Sequence, residues 1–370
     1  MIVGITLLIV LVLAVFAIPR FLAVLNAATD DIQTNPTAAL LKYPQLNADL
    51  AIFKAQLKTI RRQKASPNVL AQKSILVVCN PISGSKSALS VYHALVKPAL
   101  VLLGISHTLI ITSRANHARI LIRDDVSLLK KYDGVLVLGG DGTLNQIING
   151  FYEACGGDMP LFRSRSKTFS FGIIPTGTCN GFSASLKALT PLEALLNLAK
   201  CTTLKPVDLY KITSHTKSKQ SEQKTIQLSQ LDMHCLSAGI IAEHDYLTES
   251  VLRSNPLRMT LAPLIVIARK KAYPGKLYLH GVPFTKEEQR KSNLRDFTKL
   301  RACDDDDVDS DIEKKSRPGW RVIDDEFIFM SVINTAKAAH NQWFVPSAKP
   351  DDGAIYCIAF DTGENNAGFL

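Results

Sequence analysis

The sequence contains few cysteines, and they are not arranged to act together. Its seven cysteines are scattered along 370 residues, and no C-x-x-C pair is present. This spacing argues against a disulfide framework and a zinc site, and it is typical of reduced thiols in a cytosolic protein. The chain also lacks a basic patch interleaved with aromatic side chains, so the sequence indicates no nucleic-acid partner.

Acidic residues are outnumbered by basic ones. The net charge is +10 and the pI is near 9.2, although an acidic run occurs at Asp304–Asp307. A basic surface suits anionic partners such as nucleotides or anionic lipid headgroups. The hydrophobic fraction of 46% is enough for sizeable cores, and a length of 370 residues favours two domains.

Basic residues are missing from the N-terminal end of the chain. Ile2–Ile18 is apolar except for Gly4 and Thr6, and the first basic residue, Arg20, follows it. The segment is close to the minimum length that spans a bilayer, and it lacks the basic start of a signal peptide. Because basic residues follow it, we predict a transmembrane anchor at 1–25 with the rest of the chain in the cytoplasm. A cleaved signal sequence is the alternative.

The most informative segment is a strand-to-helix corner. An apolar run at Val135–Leu138 leads into Gly139, Gly140, Asp141 and Gly142. A helical apolar face follows, with the spacing i, i+3, i+4, i+7: Leu144, Ile147, Ile148 and Phe151. Glycines at such a corner let backbone N–H groups approach phosphate oxygens, and an acid among them is suited to deprotonate an alcohol beside ATP. The alternative is an ordinary corner whose aspartate caps the helix.

Similar corners follow other predicted strands. Ile75–Val78 runs into a small, polar loop at Cys79–Lys86, and Phe171–Ile174 runs into Pro175–Gly181. Between the corners at 79–86 and 139–142, Leu109–Ile111 leads into a polar segment at Thr112–Arg119. Each loop could cradle phosphate, although each taken alone could be an ordinary turn. Several such loops after successive strands favour a phosphate site.

At these corners the chain resembles the diacylglycerol kinase-type catalytic domain, and within it the sphingosine kinases. The resemblance is carried by Asn80-Pro81 with Ser83-Gly84, Thr112–Arg119, Gly139–Gly142, and Pro175–Thr178 with Asn180. It implies that ATP phosphates bind at Asn80, Pro81, Ser83, Gly84, Thr112, Asn116, Gly139, Gly140, Gly142, Gln146, Gly177, Thr178 and Arg258. Gln146 and Cys179 stand where the family usually has Glu and Gly.

A later segment resembles the part of sphingosine kinases that holds the lipid acceptor. It comprises Gly239–Asp245, and the resemblance makes Asp245 the acceptor carboxylate. A sphingoid base carries an ammonium group beside its hydroxyls, which a partly buried carboxylate would pair with, whereas diacylglycerol and ceramide carry no such cation. Asp245 as a helix N-cap or a surface acid is the alternative. Apolar residues at 257–265 are expected either to line an acyl pocket or to be ordinary core.

The order of apolar runs predicts the domain organisation. After the anchor we expect a linker with some helical character at 26–72 and a doubly wound parallel α/β domain at 73–205, the catalytic and nucleotide-binding part. A mostly β, sandwich-like second domain is expected at 206–370, with polar loops at 214–224 and a disordered acidic loop at about 285–318. The family has further C-terminal strands bearing an Asp-Gly-Glu segment, which this sequence lacks, so the C-terminus is expected to be incomplete.

These features together predict an ATP-dependent lipid kinase with its active site in the cleft between the domains. Asp141 would orient or deprotonate the primary hydroxyl of sphingosine or a related base, and Mg²⁺ would bridge phosphate oxygens, with no residue assigned as its ligand. A diacylglycerol or ceramide kinase is one alternative. A catalytically weak, membrane-held protein that binds lipid or nucleotide is another, favoured by Gln146, Cys179 and the missing C-terminal segment.

Overall fold

The structure is a computed structural model that describes residues 43–63, 67–218, 221–252, 257–269, 271–280, 298–301 and 320–361. The predicted anchor at 1–25 lies outside these residues. Within them, no helix is both long and apolar enough to cross a membrane. The prediction of a membrane-anchored localisation is therefore corrected: it rested on a spanning helix, and the structure describes none.

Strands occur from residue 74 to the end of the described part of the chain. They are β1 Ser74–Cys79, β2 Ser106–Ile111, β3 Gly134–Gly139, β4 Ser170–Pro175, β5 Tyr210–Ser218, β6 Ser221–Asp232, β7 Cys235–Gly239, β8 Tyr273–His280, β9 Thr298–Arg301, β10 Trp320–Ile333, β11 Lys337–Ala339, β12 Gln342–Trp343 and β13 Ala354–Asp361.

The described helices are α1 Gln45–Gln63, α2 Ala88–Val91, α3 Lys97–Leu103, α4 His117–Asp124, α5 Leu128–Lys131, α6 Asp141–Ala154, α7 Met159–Ser166, α8 Gly181–Ser185, α9 Pro191–Ala199, α10 Ile240–Tyr246 and α11 Arg258–Arg269. Two π-helical turns, Tyr92–Val96 and Leu247–Val251, continue α2 into α3 and extend α10.

Contacts divide the chain into two compact units. The described residues up to His234, together with Thr335–Asp352, form the parallel-sheet unit, and those of 235–334 and 353–361 form the antiparallel-sheet unit. The hairpin of β5 and β6 thus packs with the parallel-sheet unit. The domain limits inferred from the sequence stay predictions.

A parallel sheet with the order β2-β1-β3-β4 forms the centre of the first unit. Its central strands β1 and β3 are buried almost throughout, because helices cover both faces of the sheet. On one face α6 buries the apolar residues that the sequence singled out: Leu144, Ile147, Ile148 and Phe151. The predicted parallel α/β fold is confirmed.

Helix α1 covers part of the other face of this sheet. It buries Leu46, Phe53, Leu57 and Ile60 in a core shared with residues of β1 and α9. These residues recur at helical spacing, so the segment at 45–63 is an integral helix of the unit. The sequence predicted some helical character here within a linker, but it did not indicate that the helix packs into the core.

The antiparallel-sheet unit contains a sheet with the order β7-β10-β13-β9. Strand β8 pairs with the first part of β10, at 320–327, and β7 pairs with its last part, at 329–333. The predicted β-rich second part is confirmed.

The polar segment 214–224, expected to be a loop, instead contributes to the ladder of β5 and β6, which pairs Ser214 with Leu228 and Lys217 with Thr225. The segment 214–224 contains no apolar residue, so no apolar alternation marks this part of the hairpin in the sequence. Of the predicted acidic loop, only 298–301 lies within the described residues.

The amino ends of β1 and β3 are joined by Asp133. Its carboxylate accepts the Ser74 backbone N–H at 2.8 Å and the Lys73 ammonium at 2.9 Å. These two hydrogen bonds, the backbone one first, hold the pKa of Asp133 below its ordinary value of 3.8. The charged form therefore stabilises the folded state at neutral pH.

We expect Asp133→Asn to weaken the acid sensitivity of folding. A depressed carboxyl pKa gives stability that is full above the unfolded-state value of about 3.9 and is lost as pH falls through the folded value. The melting temperature of the parent should therefore fall more steeply below about pH 4 than that of Asp133→Asn. Melting curves between neutral pH and pH 3 measure the difference, and parallel curves would contradict it.

Candidate active site

The loops after β1, β3 and β4 meet at the carboxyl edge of the parallel sheet. Ser83 Oγ lies 3.3 Å from both the carbonyl oxygen and Oγ1 of Thr176. The Thr176 N–H donates to the Gly139 carbonyl at 3.0 Å, and the Asn80 amide donates to Thr143 Oγ1 at 3.1 Å. The structure therefore brings together the three corners that the sequence identified.

Gly177 and Gly140 make the closest approach between these loops. A Cβ built on Gly177 would lie 2.5 Å from the Gly140 Cα and 2.8 Å from Asn180 Oδ1, so the loops fit only with glycine at 177. Asn180 fixes the turn, because its Oδ1 accepts the Gly177 N–H at 3.0 Å and its Nδ2 donates to the Gly177 carbonyl at 2.8 Å. Asn180 itself is left-handed, with φ of 50°.

Asp141 is the first residue of α6, and its carboxylate binds the start of a different helix. Its Oδ2 accepts the Gly181 N–H at 2.8 Å and its Oδ1 accepts the Phe182 N–H at 3.2 Å, at the first turn of α8. The side chain is 16% exposed. The carboxylate is thus held by two backbone donors and still reaches solvent, which allows it to meet a substrate hydroxyl.

Sequence reasoning missed a buried histidine beside Asp141. His234 Nε2 lies 4.0 Å from Asp141 Oδ2, and the ring bonds Thr335 Oγ1 at 2.8 Å and the Ala338 carbonyl at 3.2 Å. The backbone N–H of His234 donates to Asp232 Oδ1 at 2.8 Å. Burial raises the pKa of the Asp232 carboxyl, and the Asp141 charge adds to the rise. Separate segments of the chain supply these groups, so no local motif could indicate them.

The corner after β2 is built differently from the other three. The Thr112 N–H donates to the Cys79 carbonyl at 2.9 Å, which ties the corner to β1. Asn116 precedes α4 in a left-handed conformation, with φ of 57°, and is exposed. Arg119 forms a two-pronged ion pair with Glu153 of α6, at 3.1 and 2.5 Å, so its guanidinium links two helices. The phosphate roles of Thr112 and Asn116 stay predictions.

The remaining predicted phosphate residues differ in exposure. Gly142 and Thr178 are exposed, and Pro81, Gly84 and Gln146 are half-buried. Of the two loop cysteines, Cys79 is buried and Cys179 exposed. Burial raises the pKa of the Cys79 thiol to about 12, so this thiol stays protonated and serves as packing.

Asp245 and Arg258 belong to the antiparallel-sheet unit. Asp245 lies near the end of α10 with its side chain 71% exposed, 3.3 Å from His244 Nδ1. The expectation of a partly buried carboxylate is therefore wrong for this structure. Arg258 begins α11, is 23% exposed, and lies 3.6 Å from Glu249 Oε1. Leu257, Met259 and Leu264 are exposed, so they are not core residues.

Helices α10 and α11 are clamped together by one carboxylate. Glu243 accepts hydrogen bonds from Arg269 and from the Tyr273 hydroxyl. The Tyr273 hydrogen bond, followed by that of Arg269, lowers the pKa of Glu243, and burial together with Glu243 raises the pKa of Tyr273 to about 12. This clamp fixes the helix that carries Asp245.

Within the described part of the chain, no group of three or more His, Cys, Asp or Glu side chains is placed to hold a metal ion.

A family comparison matches the same corners. The model of the diacylglycerol kinase catalytic domain matches residues 74–212, from the start of β1 to within β5. This range contains Asp141 and all three converging loops. It leaves Asp245 and Arg258 outside.

Individual relatives are similar over different lengths. The chain is 30% identical to Sphingosine kinase 1 of Homo sapiens over 212 residues, which cover 55% of this chain and half (50%) of that relative. It is 24% identical to Sphingosine kinase 1 of Mus musculus over 80% of this chain and 74% of the relative. A crystal structure from Bacillus anthracis str. Sterne, assigned as a diacylglycerol kinase, shares the fold with a TM-score of 0.50, at 19% identity over 81% of this chain and 76% of that one.

Proposed function

We propose that the chain phosphorylates the primary hydroxyl of a sphingoid base, because the model of the diacylglycerol kinase catalytic domain matches residues 74–212 and similar relatives are named sphingosine kinases. The observation that carries this proposal is the Asp141 carboxylate, held by two backbone N–H groups beside the converging glycine loops. The names of the relatives support sphingosine or a related base as the acceptor.

The proposed reaction is a direct transfer from ATP. The substrate oxygen forms a bond to the γ-phosphorus as the bond to the bridging oxygen breaks, and that electron pair leaves with ADP. Asp141 accepts the hydroxyl proton. In this proposal, backbone N–H groups near Ser83-Gly84, Gly140 and Gly177-Thr178 bind phosphate oxygens, and Arg258 stabilises the transferred charge.

The close approach of Gly177 and Gly140 brings the two glycine loops side by side, which supports the proposal that they bind the ATP phosphates together. Mg²⁺ entering with ATP would neutralise charge on the phosphates, and kinases commonly bind it with only one or two carboxylates of their own. In such a site the protein needs few carboxylate ligands of its own. One carboxylate that lies beside these loops is that of Asp141, which accepts a hydrogen bond from the Gly181 N–H.

Asp245 supports a sphingoid base over an uncharged lipid. Its carboxylate is 71% exposed and available to an ammonium group, although an exposed ion pair contributes less than a buried one. We therefore expect Asp245 to select between acceptors by a modest factor. Phosphorylation of diacylglycerol and ceramide, which lack the cation, should be indifferent to it.

The test is transfer of labelled γ-phosphate by the full chain to sphingosine, diacylglycerol or ceramide in mixed micelles. We expect label in sphingosine, and Asp245→Asn should lower kcat/KM for sphingosine about two- to fivefold, as for an exposed ion pair. Asp324→Asn is the matched control, since Asp324 is an exposed carboxylate of the same unit, 64% exposed. Label in diacylglycerol alone would move the proposal to that acceptor class, and no label in any lipid would overturn the kinase activity.

A further inference from the structure

The ring of His234 is buried between two segments that are distant in the sequence. Its side chain is 11% exposed. Nδ1 lies 2.8 Å from Thr335 Oγ1 and Nε2 lies 3.2 Å from the Ala338 carbonyl. Both ring nitrogens are therefore engaged, and the orientation of the ring is fixed.

These partners assign the proton in the neutral ring. A carbonyl oxygen can only accept, so Nε2 carries the hydrogen and donates it to Ala338. Nδ1 is then the acceptor, and it takes its hydrogen bond from the Thr335 hydroxyl. The Nε2–H consequently lies on the side of the ring that also faces Asp141, 4.0 Å from Oδ2.

Gly181 lies between the ring and the carboxylate. A Cβ built on Gly181 would be 2.5 Å from His234 Nε2 and 2.3 Å from the Ala338 carbonyl, so the ring packs directly on the Gly181 backbone. The N–H of this same residue donates to Asp141 Oδ2 at 2.8 Å. The ring thus supports the turn that delivers the donor.

The ring acts on Asp141 through Gly181. Its Nε2–H is directed at the Ala338 carbonyl, and Nε2 lies 4.0 Å from Asp141 Oδ2, which is beyond hydrogen-bond distance. Each oxygen of Asp141 accepts one backbone N–H, Oδ2 from Gly181 and Oδ1 from Phe182. A shift of the Gly181 turn would therefore move the donor that holds Oδ2.

We propose that His234 is a positioning residue for Asp141, because it supports the Gly181 turn whose N–H holds Oδ2. This inference rests on the proposed function for its chemistry. Its structural part, that the ring fixed on Ala338 supports the Gly181 turn and through it the carboxylate, stands on the contacts alone. Asp232 secures the backbone of His234 in the same unit.

Two amide substitutions distinguish the contribution of Nε2 from that of Nδ1. The amide of Gln reaches the position of Nε2, whereas the shorter amide of Asn reaches only that of Nδ1. We expect His234→Gln to keep the kcat of the parent and His234→Asn to lose about 10- to 100-fold in kcat, with KM for ATP unchanged in both. A ring that served merely as packing would make the two variants alike, and equal kcat values for them would overturn the proposal.

A second readout is independent of activity. Hydrogen exchange resolved at the Gly181 and Phe182 amides should be about tenfold faster in His234→Asn than in the parent or His234→Gln, because one supported hydrogen bond is lost. Equal exchange in all three proteins would overturn the inference. If the parent itself transfers no phosphate, the proposed function fails, and the exchange rates still decide whether His234 holds Asp141.

Discussion

Asp141→Asn is expected to lower kcat for phosphoryl transfer about 10²- to 10⁴-fold, the usual contribution of a general base. The amide is not basic and does not take the hydroxyl proton as the bond to phosphorus forms. The glycine loops that we propose to bind phosphate are separate from this side chain, so KM for ATP should change little. Single-turnover transfer to sphingosine at saturating ATP measures the chemical step.

The substitution also has a structural cost, which a matched variant isolates. Asn offers one acceptor oxygen, so one of the N–H groups of Gly181 and Phe182 then faces an NH₂ donor, and stability should fall by about 1 kcal/mol. Asp133→Asn makes the same chemical change at a carboxylate that also accepts a backbone N–H, at the opposite edge of the sheet. It should leave kcat unchanged. Transfer by Asp141→Asn at a rate close to that of the parent would rule out Asp141 as the base.

The features that could be predicted from the sequence are those that depend on residues close together in the chain. Each converging corner consists of an apolar strand followed at once by glycine or small polar residues, and the apolar spacing of α6 gives its buried face directly. Once the strands are taken as parallel, their carboxyl ends share one edge, so the meeting of the loops follows from geometry. The convergence of Ser83, Thr176 and Gly140 needed no long-range information.

The features that the sequence did not predict depend on contacts between distant segments. His234 and Thr335 are separated by 101 residues, and the ring appears in the sequence as an isolated histidine before a strand. Asp245 was expected to be partly buried because its acceptor role suggested it, yet burial depends on what packs around α10. The part of the β5–β6 hairpin at 214–224 carries no apolar residue, so in the sequence it was indistinguishable from a loop.

Gly177→Ala is expected to abolish the stabilisation of the protein by ATP. The added Cβ would lie 2.5 Å from the Gly140 Cα and 2.9 Å from the Gly140 N. These are backbone atoms, which do not rotate away as a side chain would, so the two loops must separate. The phosphate-binding N–H groups would then no longer point at one ligand. ATP with Mg²⁺ at a concentration of about 100 Kd should stabilise the parent by about 2.7 kcal/mol and the variant by close to none.

The matched control adds the same methyl group where there is room. At Gly275 in β8 the nearest atom to a built Cβ is Phe327 Cδ2 at 3.7 Å, an ordinary contact. Gly275→Ala should therefore keep the ATP-induced rise in melting temperature of the parent, and Gly177→Ala should lose it while both proteins remain folded at room temperature. A variant at Gly177 that still responded to ATP like the control would contradict the proposal that ATP binding depends on this close approach of the two loops.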